Sequence, residues 1–486
     1  MTSPLKDRAL SSAPTALFIA GRWMAAEDGA TFAVEDPATG ETLAQVADGG
    51  PREAVLAMDA AQAAQSDWAH TPPRRRSEIL TEAWRRVLAA EEELAALMTL
   101  EMGKALEESR GEVRYAAEFL RWFAEEAVRI DGRHSLAPDG SSRLITQRQP
   151  VGVCVLVTPW NFPLAMGTRK IGPALAAGCA MVIKPAAQTP LSMLALARIF
   201  QEAGLPDGVL NVVTGERAGE IVTACLDHPA ARKISFTGST AVGRLLARQA
   251  GERLLRMSME LGGDNPFLVF ADADLDAAVD GAMLAKMRNI GEACTAANRF
   301  LVHKSLASAF AEKMAARMGA LSVGHGLSGA QVGPLIDAKA RDRVAKLVDD
   351  AVAAGARVLV GANRPEGPGY FYSPTVLTDV AADLPALKTE IFGPVAPIQA
   401  FETDEEAITL ANDSELGLTA YAYTRDLKRG HLLVDRLNVG MVGLNRGLVS
   451  NPAAPFGGVK ASGMGREGGR EGIDEYLSVK YASIAL

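Results

Sequence analysis

The sequence predicts an α/β protein made of two doubly wound α/β domains with a small β arm attached. Three features predict it. From residue 151 to 250, short apolar runs alternate with helical stretches. Beyond Glu260-Leu261-Gly262-Gly263 a second alternating set begins and continues to about residue 444. The tail, 476–486, is an extended run with no partner nearby in sequence. Strands alternating with helices of this length build parallel sheets covered on both faces. Ligands on such sheets bind beyond the carboxyl ends of the strands.

Taken in order, residues 17–50 predict short strands separated by turns at Asp28-Gly29 and Ala38-Thr39-Gly40. Apolar stripes with charged opposite faces predict helices over 52–69, 74–102 and 104–130. A segment rich in Gly, Ser and Pro follows at 131–142, and 143–150 alternates like a half-exposed strand. The first α/β set predicts strands at 151–158, 181–184, 209–213 and 233–236, with helices at 164–177, 191–203, 216–226 and 240–250. The second predicts strand 266–270, helix 275–290, strand 299–303 and helices 306–321 and 338–353. Its further strands fall near 357–360, 396–400, 420–424 and 441–444. A lone terminal strand needs a sheet to join. Residues 476–486 are expected to pair with 143–150, as an arm reaching a neighbouring subunit.

Composition narrows the function classes. Of 486 residues, 48% are apolar and 22% charged, which is ordinary for a globular chain. A net charge of −8 carries no nucleic-acid footprint. No apolar run approaches the ~20 residues that span a bilayer, so no membrane partner is expected. Four scattered cysteines, Cys154, Cys179, Cys225 and Cys294, form no CxxC pair and no Cys/His cluster with zinc spacing. No metal is expected, and the thiols suit a reducing, cytoplasmic setting.

The sharpest segment is Gly291-Glu292-Ala293-Cys294-Thr295-Ala296-Ala297-Asn298-Arg299. Cys294 lies after a helix and before a strand, where a thiol can be exposed and activated. The other three cysteines sit in apolar contexts and read as small buried side chains. Thr158-Pro159-Trp160-Asn161-Phe162-Pro163 ends the first strand of the parallel set. Its two prolines force an irregular turn that presents the Asn161 amide. Glu260 precedes two glycines that permit close backbone approach. Glu390-Ile391-Phe392-Gly393-Pro394 brings an acid and an aromatic into one turn. There is no GxGxxG after the first strand. Instead Gly238-Ser239-Thr240-Ala241-Val242-Gly243 opens a helix whose free N–H groups suit a pyrophosphate.

These segments, in this order, closely resemble the aldehyde dehydrogenase superfamily from about residue 17 to the C-terminus. Within it the chain is most similar to the succinate-semialdehyde dehydrogenase branch. Met166-Gly167-Thr168-Arg169-Lys170, Phe236-Thr237-Gly238-Ser239-Thr240 and Met287-Arg288-Asn289 carry the likeness further. So do Ala454-Pro455-Phe456-Gly457-Gly458-Val459-Lys460 and Ser462-Gly463-Met464-Gly465-Arg466-Glu467-Gly468. The resemblance implies an aldehyde-dehydrogenase-like fold. Residues 1–130 and 149–261 would form a dinucleotide-binding domain and 262–452 a catalytic domain. Residues 131–148 and 453–486 would form an oligomerisation arm and C-terminal segment of a homodimer or homotetramer.

The resemblance also implies roles. Cys294 is the expected nucleophile, Asn161 with the Cys294 N–H the oxyanion hole, and Glu260 the base that activates water. Hydrolysis to a free acid follows from Glu260, since transfer to coenzyme A needs no such base. Trp160, Lys184, Gly238, Ser239, Gly243, Glu390 and Phe392 are expected to hold NAD(P). Ala187 stands where NAD-preferring relatives often carry Glu, so NADP is favoured and NAD possible. Arg169, Arg288 and Ser450 are expected to hold the remote carboxylate of a semialdehyde, because a guanidinium fork binds carboxylate bidentately. Succinate semialdehyde is the leading substrate, with glutarate and 2-oxoglutarate semialdehyde as alternatives. Met287 replaces a common Phe in the pocket wall. Arg446 replaces a smaller residue and is expected to add a third carboxylate contact or favour a longer substrate. Ala296 removes any disulfide switch beside Cys294. A non-catalytic dinucleotide-binding protein is the reading from another class. Retention of Cys294, Glu260 and Asn161 together opposes it.

Overall fold

The computed structural model describes residues 4–380 and 389–486. The first α/β set forms the centre of an eight-stranded sheet. Its order is Arg22–Met24, Leu17–Ile19, Leu210–Val212, Met181–Lys184, Val153–Val157, Ala231–Thr237, Arg256–Glu260 and Gly463–Met464. The five central strands, from Leu210–Val212 to Arg256–Glu260, are parallel, and the strands at both edges run antiparallel. Val153–Val157 shows why the run is apolar throughout. Cys154 and Leu156 enter one core and Val153 and Val155 the other, because successive side chains point to opposite faces and both faces are covered. The strand order reverses between Val153–Val157 and Ala231–Thr237, which opens the crevice beyond their carboxyl ends.

The second set forms a seven-stranded sheet. Its order is Arg357–Val360, Thr375–Thr378, Val395–Phe401, Ala297–His303, Asn265–Val269, Thr419–Tyr423 and Met441–Leu444. All but the first are parallel. Phe267 and Val269 pack on one face, and Leu268 and Phe270 on the other.

The tail pairs as the sequence predicts. Leu477–Ala485 runs antiparallel to Ser142–Pro150, from Leu477 opposite Pro150 to Ala485 opposite Ser142, and Arg133–Leu136 adds a third strand. This pairing is made within one chain.

Several elements differ from expectation. The long helix at 74–102 is two, Pro73–Ala89 and Glu91–Met102, broken at Ala90 (φ −97°, ψ 17°). Helices Pro4–Ser12, Asp404–Asn412 and Leu427–Arg436 and strands Arg256–Glu260 and Thr375–Thr378 were not predicted. Arg256-Met257-Ser258-Met259-Glu260 is too polar to read as a buried strand, and its burial comes from its neighbours on both sides. Asp404–Asn412 did carry a signal: the Thr403 hydroxyl accepts from the Glu406 N–H, a Thr-x-x-Glu start. The predicted helix 275–290 stops at Met287, for a reason that belongs to the site.

Candidate active site

Cys294 lies in the loop between a tight turn, Arg288–Gly291, and strand Ala297–His303. The chain leaves the helix there because Asn289, Ile290 and Gly291 take left-handed φ values of 53°, 62° and 78°. For β-branched Ile290 this conformation is costly, so tertiary contacts must impose it. The Asn289 N–H donates to Glu108 Oε1 (2.7 Å), and Asn289 Nδ2 donates to the carbonyls of Asn161 (2.9 Å) and Glu292 (2.8 Å). Ile290 itself is buried in a core cluster with Val332, Leu335 and Ile391.

The loop's carbonyls are drawn into the protein by side chains. Asn265 Nδ2 donates to those of Cys294 (2.7 Å) and Ala296 (2.8 Å), and the Tyr421 hydroxyl to that of Thr295 (2.9 Å). Among the described residues the Cys294 N–H has no acceptor, so it is available to an oxyanion. Asn161 Nδ2 donates to the Glu292 carbonyl at 2.9 Å, which uses one of its two hydrogens. The Asn161 backbone is held from behind. Its carbonyl accepts from Lys104 Nζ (2.7 Å), and Lys104 is paired with Glu112 (2.5 Å). Glu112 Oε1 also takes the N–H groups of Leu164 and Ala165, the start of helix Ala165–Ala177.

One cavity of about 340 Å³ is lined by Cys294, Asn161, Glu260, Trp160, Gly238, Ser239, Glu390, Phe392, Arg169, Arg288 and Ser450. The structure thus brings most of the predicted site residues together. Cys294 is the only cysteine with part of its surface accessible; the other three are buried. Burial pushes its thiol up to about 12, against the pull of Arg169. Glu260 ends strand Arg256–Glu260 and is 2% exposed. Neither of its carboxyl oxygens has a hydrogen-bond partner. Burial, reinforced by the Glu467 charge, raises its pKa well above the usual carboxylate range, so it holds a proton at rest. A Cβ at Gly457 would come within 2.9 Å of Glu260 Oε1, so glycine leaves the room.

The two arginines differ. Arg169 Nε is bound to Glu467 (2.7 Å), its guanidinium lies 3.8 Å from the Phe456 ring centroid, and only Nη2 is without a partner. Lys170 Nζ reaches the other Glu467 oxygen. Burial disfavours charge on Glu467, but Lys170 and Arg169 outweigh it and keep the carboxylate ionised. Arg288 has no ion pair or hydrogen bond among the described residues. It stacks 4.7 Å from the Phe162 centroid and 5.7 Å from that of Tyr115. Beyond Arg288 and Ser450 lies a second cavity of about 820 Å³, whose wall includes Met287 and Leu448. Arg446 corrects an expectation. It is exposed, lies near Tyr423, and lines neither cavity. The chain turns back after strand Met441–Leu444 and leaves its side chain outside.

A third cavity, of about 630 Å³, is lined by Lys184, Ala187, Gln188, Glu216 and Val242. Burial lowers Lys184 to about 8, with Asp48 and Glu216 opposing the shift. Between this cavity and the Cys294 cavity lies the start of helix Thr240–Glu252. Ser239 caps it, its Oγ accepting from the Val242 N–H (3.4 Å), while the Thr240 and Ala241 N–H groups have no acceptor among the described residues. A Cβ at Gly243 would lie 2.3 Å from Leu261, so the helix packs directly on the chain following Glu260. At the far end the Glu390 carboxylate accepts from the Gly263 N–H (3.2 Å), and burial lifts it to about 7. Phe392, at φ 49°, meets Trp160 edge-on at 5.4 Å. This row of free N–H groups between two cavities fits an extended dinucleotide. Among the described residues no cluster of His, Cys, Asp and Glu could hold a metal, and no helix is long and apolar enough to cross a membrane.

Lys104, Glu112, Asn265 and Tyr421 act across long sequence separations and carry no local pattern. Lys170, Asn289 and Glu467 lie in stretches that carry the resemblance, which assigned them no role.

A part-accessible thiol, free N–H donors and a buried carboxyl beside a long groove are what a dehydrogenase working through a cysteine requires. Residues 23–482 match the aldehyde dehydrogenase family, and the chain belongs to that family. It is an NAD(P)-dependent oxidoreductase acting on aldehydes. It is 57% identical to a succinate-semialdehyde dehydrogenase of Paenarthrobacter nicotinovorans, over 91% of this chain and 99% of that one. It is 47% identical to a glutarate-semialdehyde dehydrogenase of Pseudomonas putida, over 96% of this chain and 97% of that one. A crystal structure of an NADP-dependent enzyme from E. coli superposes with a TM-score of 0.97 at 47% identity, covering 98% of this chain and 99% of that one.

Proposed function

We propose that the protein oxidises succinate semialdehyde to succinate, with water supplying the acid's second oxygen. The observation that carries this is Arg288, a guanidinium on the wall of the Cys294 cavity that makes no hydrogen bond or ion pair among the described residues, Glu108 acting on it only at longer range. A substrate carboxylate completes its hydrogen bonding. Arg169 contributes Nη2 and positive potential, and Ser450 a hydroxyl.

Glu260, in its ionised form, takes the Cys294 thiol proton as the sulfur adds to the aldehyde carbon, and the resulting oxyanion is met by the Cys294 N–H and the second Asn161 Nδ2 hydrogen. NAD(P), held by the residues named below, would supply the hydride acceptor, and loss of the hydride from the adduct would leave an acyl thioester on Cys294. Glu260, once deprotonated, takes a proton from water as the water oxygen attacks the thioester carbon, and the thiol is released. Glu467, held ionised by Lys170 and Arg169, adds its negative charge to the burial that raises the Glu260 pKa. Lys184 and Ala187 take the adenosine ribose, Gly238, Ser239 and Gly243 the pyrophosphate, and Glu390, Phe392 and Trp160 the nicotinamide end. The lack of an acid at Ala187 supports acceptance of NADP as well as NAD. Which is preferred depends on the opposite wall of that cavity.

Glutarate semialdehyde is the second reading. The large cavity beyond Arg288, with flexible Met287 in its wall, has room for one more methylene. We also propose that the β arm joins copies into a homodimer or homotetramer, since Val479, Tyr481 and Ile484 are half or more exposed along it. The domain partition at residues 130, 149, 261 and 452, and a cytoplasmic location, belong to the same proposal. The test is a panel of four-, five- and six-carbon aldehydes with and without a terminal carboxylate, assayed with NAD and NADP. A kcat/KM no higher for carboxylated than for plain aldehydes overturns the substrate reading.

A further inference from the structure

The cavity that takes the adenosine ribose in the reading above has one cation on its wall, Lys184, and four acids: Glu35, Glu101, Glu216 and Asp337. Three of the acids are engaged. Glu101 accepts from the Leu191 and Ser192 N–H groups, Glu35 from the Tyr370 hydroxyl, and Asp337 from the Ala340 N–H. Glu216 is not. Its backbone N–H is tied to Asp48 Oδ1 (2.9 Å), which fixes the turn between strand Leu210–Val212 and helix Ala218–Asp227. Its carboxylate has no hydrogen-bond or ion-pair partner among the described residues.

Position adds the rest. Glu216 and Asp48 both act on the Lys184 ammonium. Among the described residues the ribose end is therefore a single lysine acted on by acids from two separate loops. Ala187, on the same wall, offers no charge. A ribose 2′-hydroxyl is neutral and can donate to a carboxylate. A 2′-phosphate is dianionic, only accepts near neutrality, and would have to share Lys184 with Glu216. Like charges brought together in a recognition site carry a large penalty.

We infer that Glu216 selects against the 2′-phosphate, supplying from another loop of the same cavity lining the acid missing at Ala187, and makes NAD the better coenzyme. This rests on the reading of the cavity as the adenosine site. It also reverses the preference that Ala187 alone suggests.

The experiment compares kcat/KM for NADP and NAD in the full-length enzyme, its Glu216→Gln and Glu216→Arg variants, and an Ala187→Trp control that fills the cavity. Glu216→Gln is expected to raise the NADP/NAD ratio about tenfold, because one full like-charge contact is removed. Glu216→Arg should raise it further. The gain should shrink at high salt, since this carboxylate is exposed and its field is screened; a purely structural effect would not respond to salt. An unchanged ratio in both Glu216 variants, with Ala187→Trp blocking both coenzymes, overturns the role of Glu216. If Ala187→Trp leaves both coenzymes bound, the adenosine-site reading fails, and the inference with it.

Discussion

Replacing Arg288 with leucine removes a guanidinium that lines the Cys294 cavity and makes no ion pair among the described residues. Leucine keeps apolar bulk against Phe162 and Tyr115, so the fold loses only a cation–π contact of about 0.5–1 kcal/mol. The substrate loses more. A charge-assisted hydrogen bond to a carboxylate is worth about 1.5–3 kcal/mol. kcat/KM for succinate semialdehyde should fall about ten- to a hundredfold, at ~1.4 kcal/mol per tenfold. Much of the loss should appear in KM, because the carboxylate is held alike in the ground and transition states. Butanal has the same carbon count and no carboxylate, and its oxidation should change little. Arg169→Leu is the structural contrast. It leaves Glu467 beside Glu260 with one fewer cation in a site where Arg169 is 2% exposed. Breaking such a buried pair costs about 3–5 kcal/mol, so both aldehydes and the melting temperature should suffer. The measurement is steady-state kinetics with both aldehydes on wild type and both variants. Equal losses on the two aldehydes in Arg288→Leu would refute the carboxylate role.

Glu260→Gln should give a burst of reduced coenzyme followed by slow turnover, because the thioester then waits for unassisted water; full steady-state turnover without a burst would remove Glu260 from hydrolysis. Iodoacetamide should modify Cys294 alone, the other thiols being buried. With its thiol pushed up to about 12, the coenzyme-free rate should climb about tenfold per pH unit without levelling off by pH ~10, since only the thiolate reacts; a plateau near neutrality contradicts this. Lys104→Met leaves Glu112 buried without its cation and removes one of the two donors to the Asn161 carbonyl, the other being Asn289 Nδ2. Stability should drop by about 3–5 kcal/mol in denaturant titration, and kcat should fall more than the KM for aldehyde, whereas equal kcat would mean that Asn161 needs no support from behind.

Local pattern in the sequence reached a definite depth. The alternation of strand and helix from 151 to 250 located four of the five central strands of the first sheet, since each carries buried apolar residues, unbroken by polar ones only in Val153–Val157. The same alternation marked most of the second sheet, and the lone run at 476–486 had to find an edge, which it does along Ser142–Pro150. The Cys294 segment, Asn161 between two prolines, and Glu260 before two glycines were legible because each sits at a break in periodicity.

What tertiary structure decided lies in contacts with no local trace. Strand Arg256–Glu260 became buried only through Ala231–Thr237 on one side and Gly463–Met464 on the other. Helix 275–290 broke at Met287 because Glu108 and the Asn161 carbonyl captured Asn289, 181 and 128 residues away in sequence. Arg169 and Arg288 looked equivalent as arginines near motif residues. Only folding gave one to Glu467, 298 positions away, and left the other free. Arg446 was turned outward by the course of its loop. In the first sheet Asn161 and Glu260 lie at or just beyond the carboxyl ends of their strands, where the rule for such sheets expects a ligand. In the second, Cys294 precedes strand Ala297–His303 and so lies at an amino end. Which end of a sheet faces a site is set by how two domains meet. Periodicity within each run therefore determined the elements and the reactive groups, while their pairing, charge state and orientation depended on residues hundreds of positions apart.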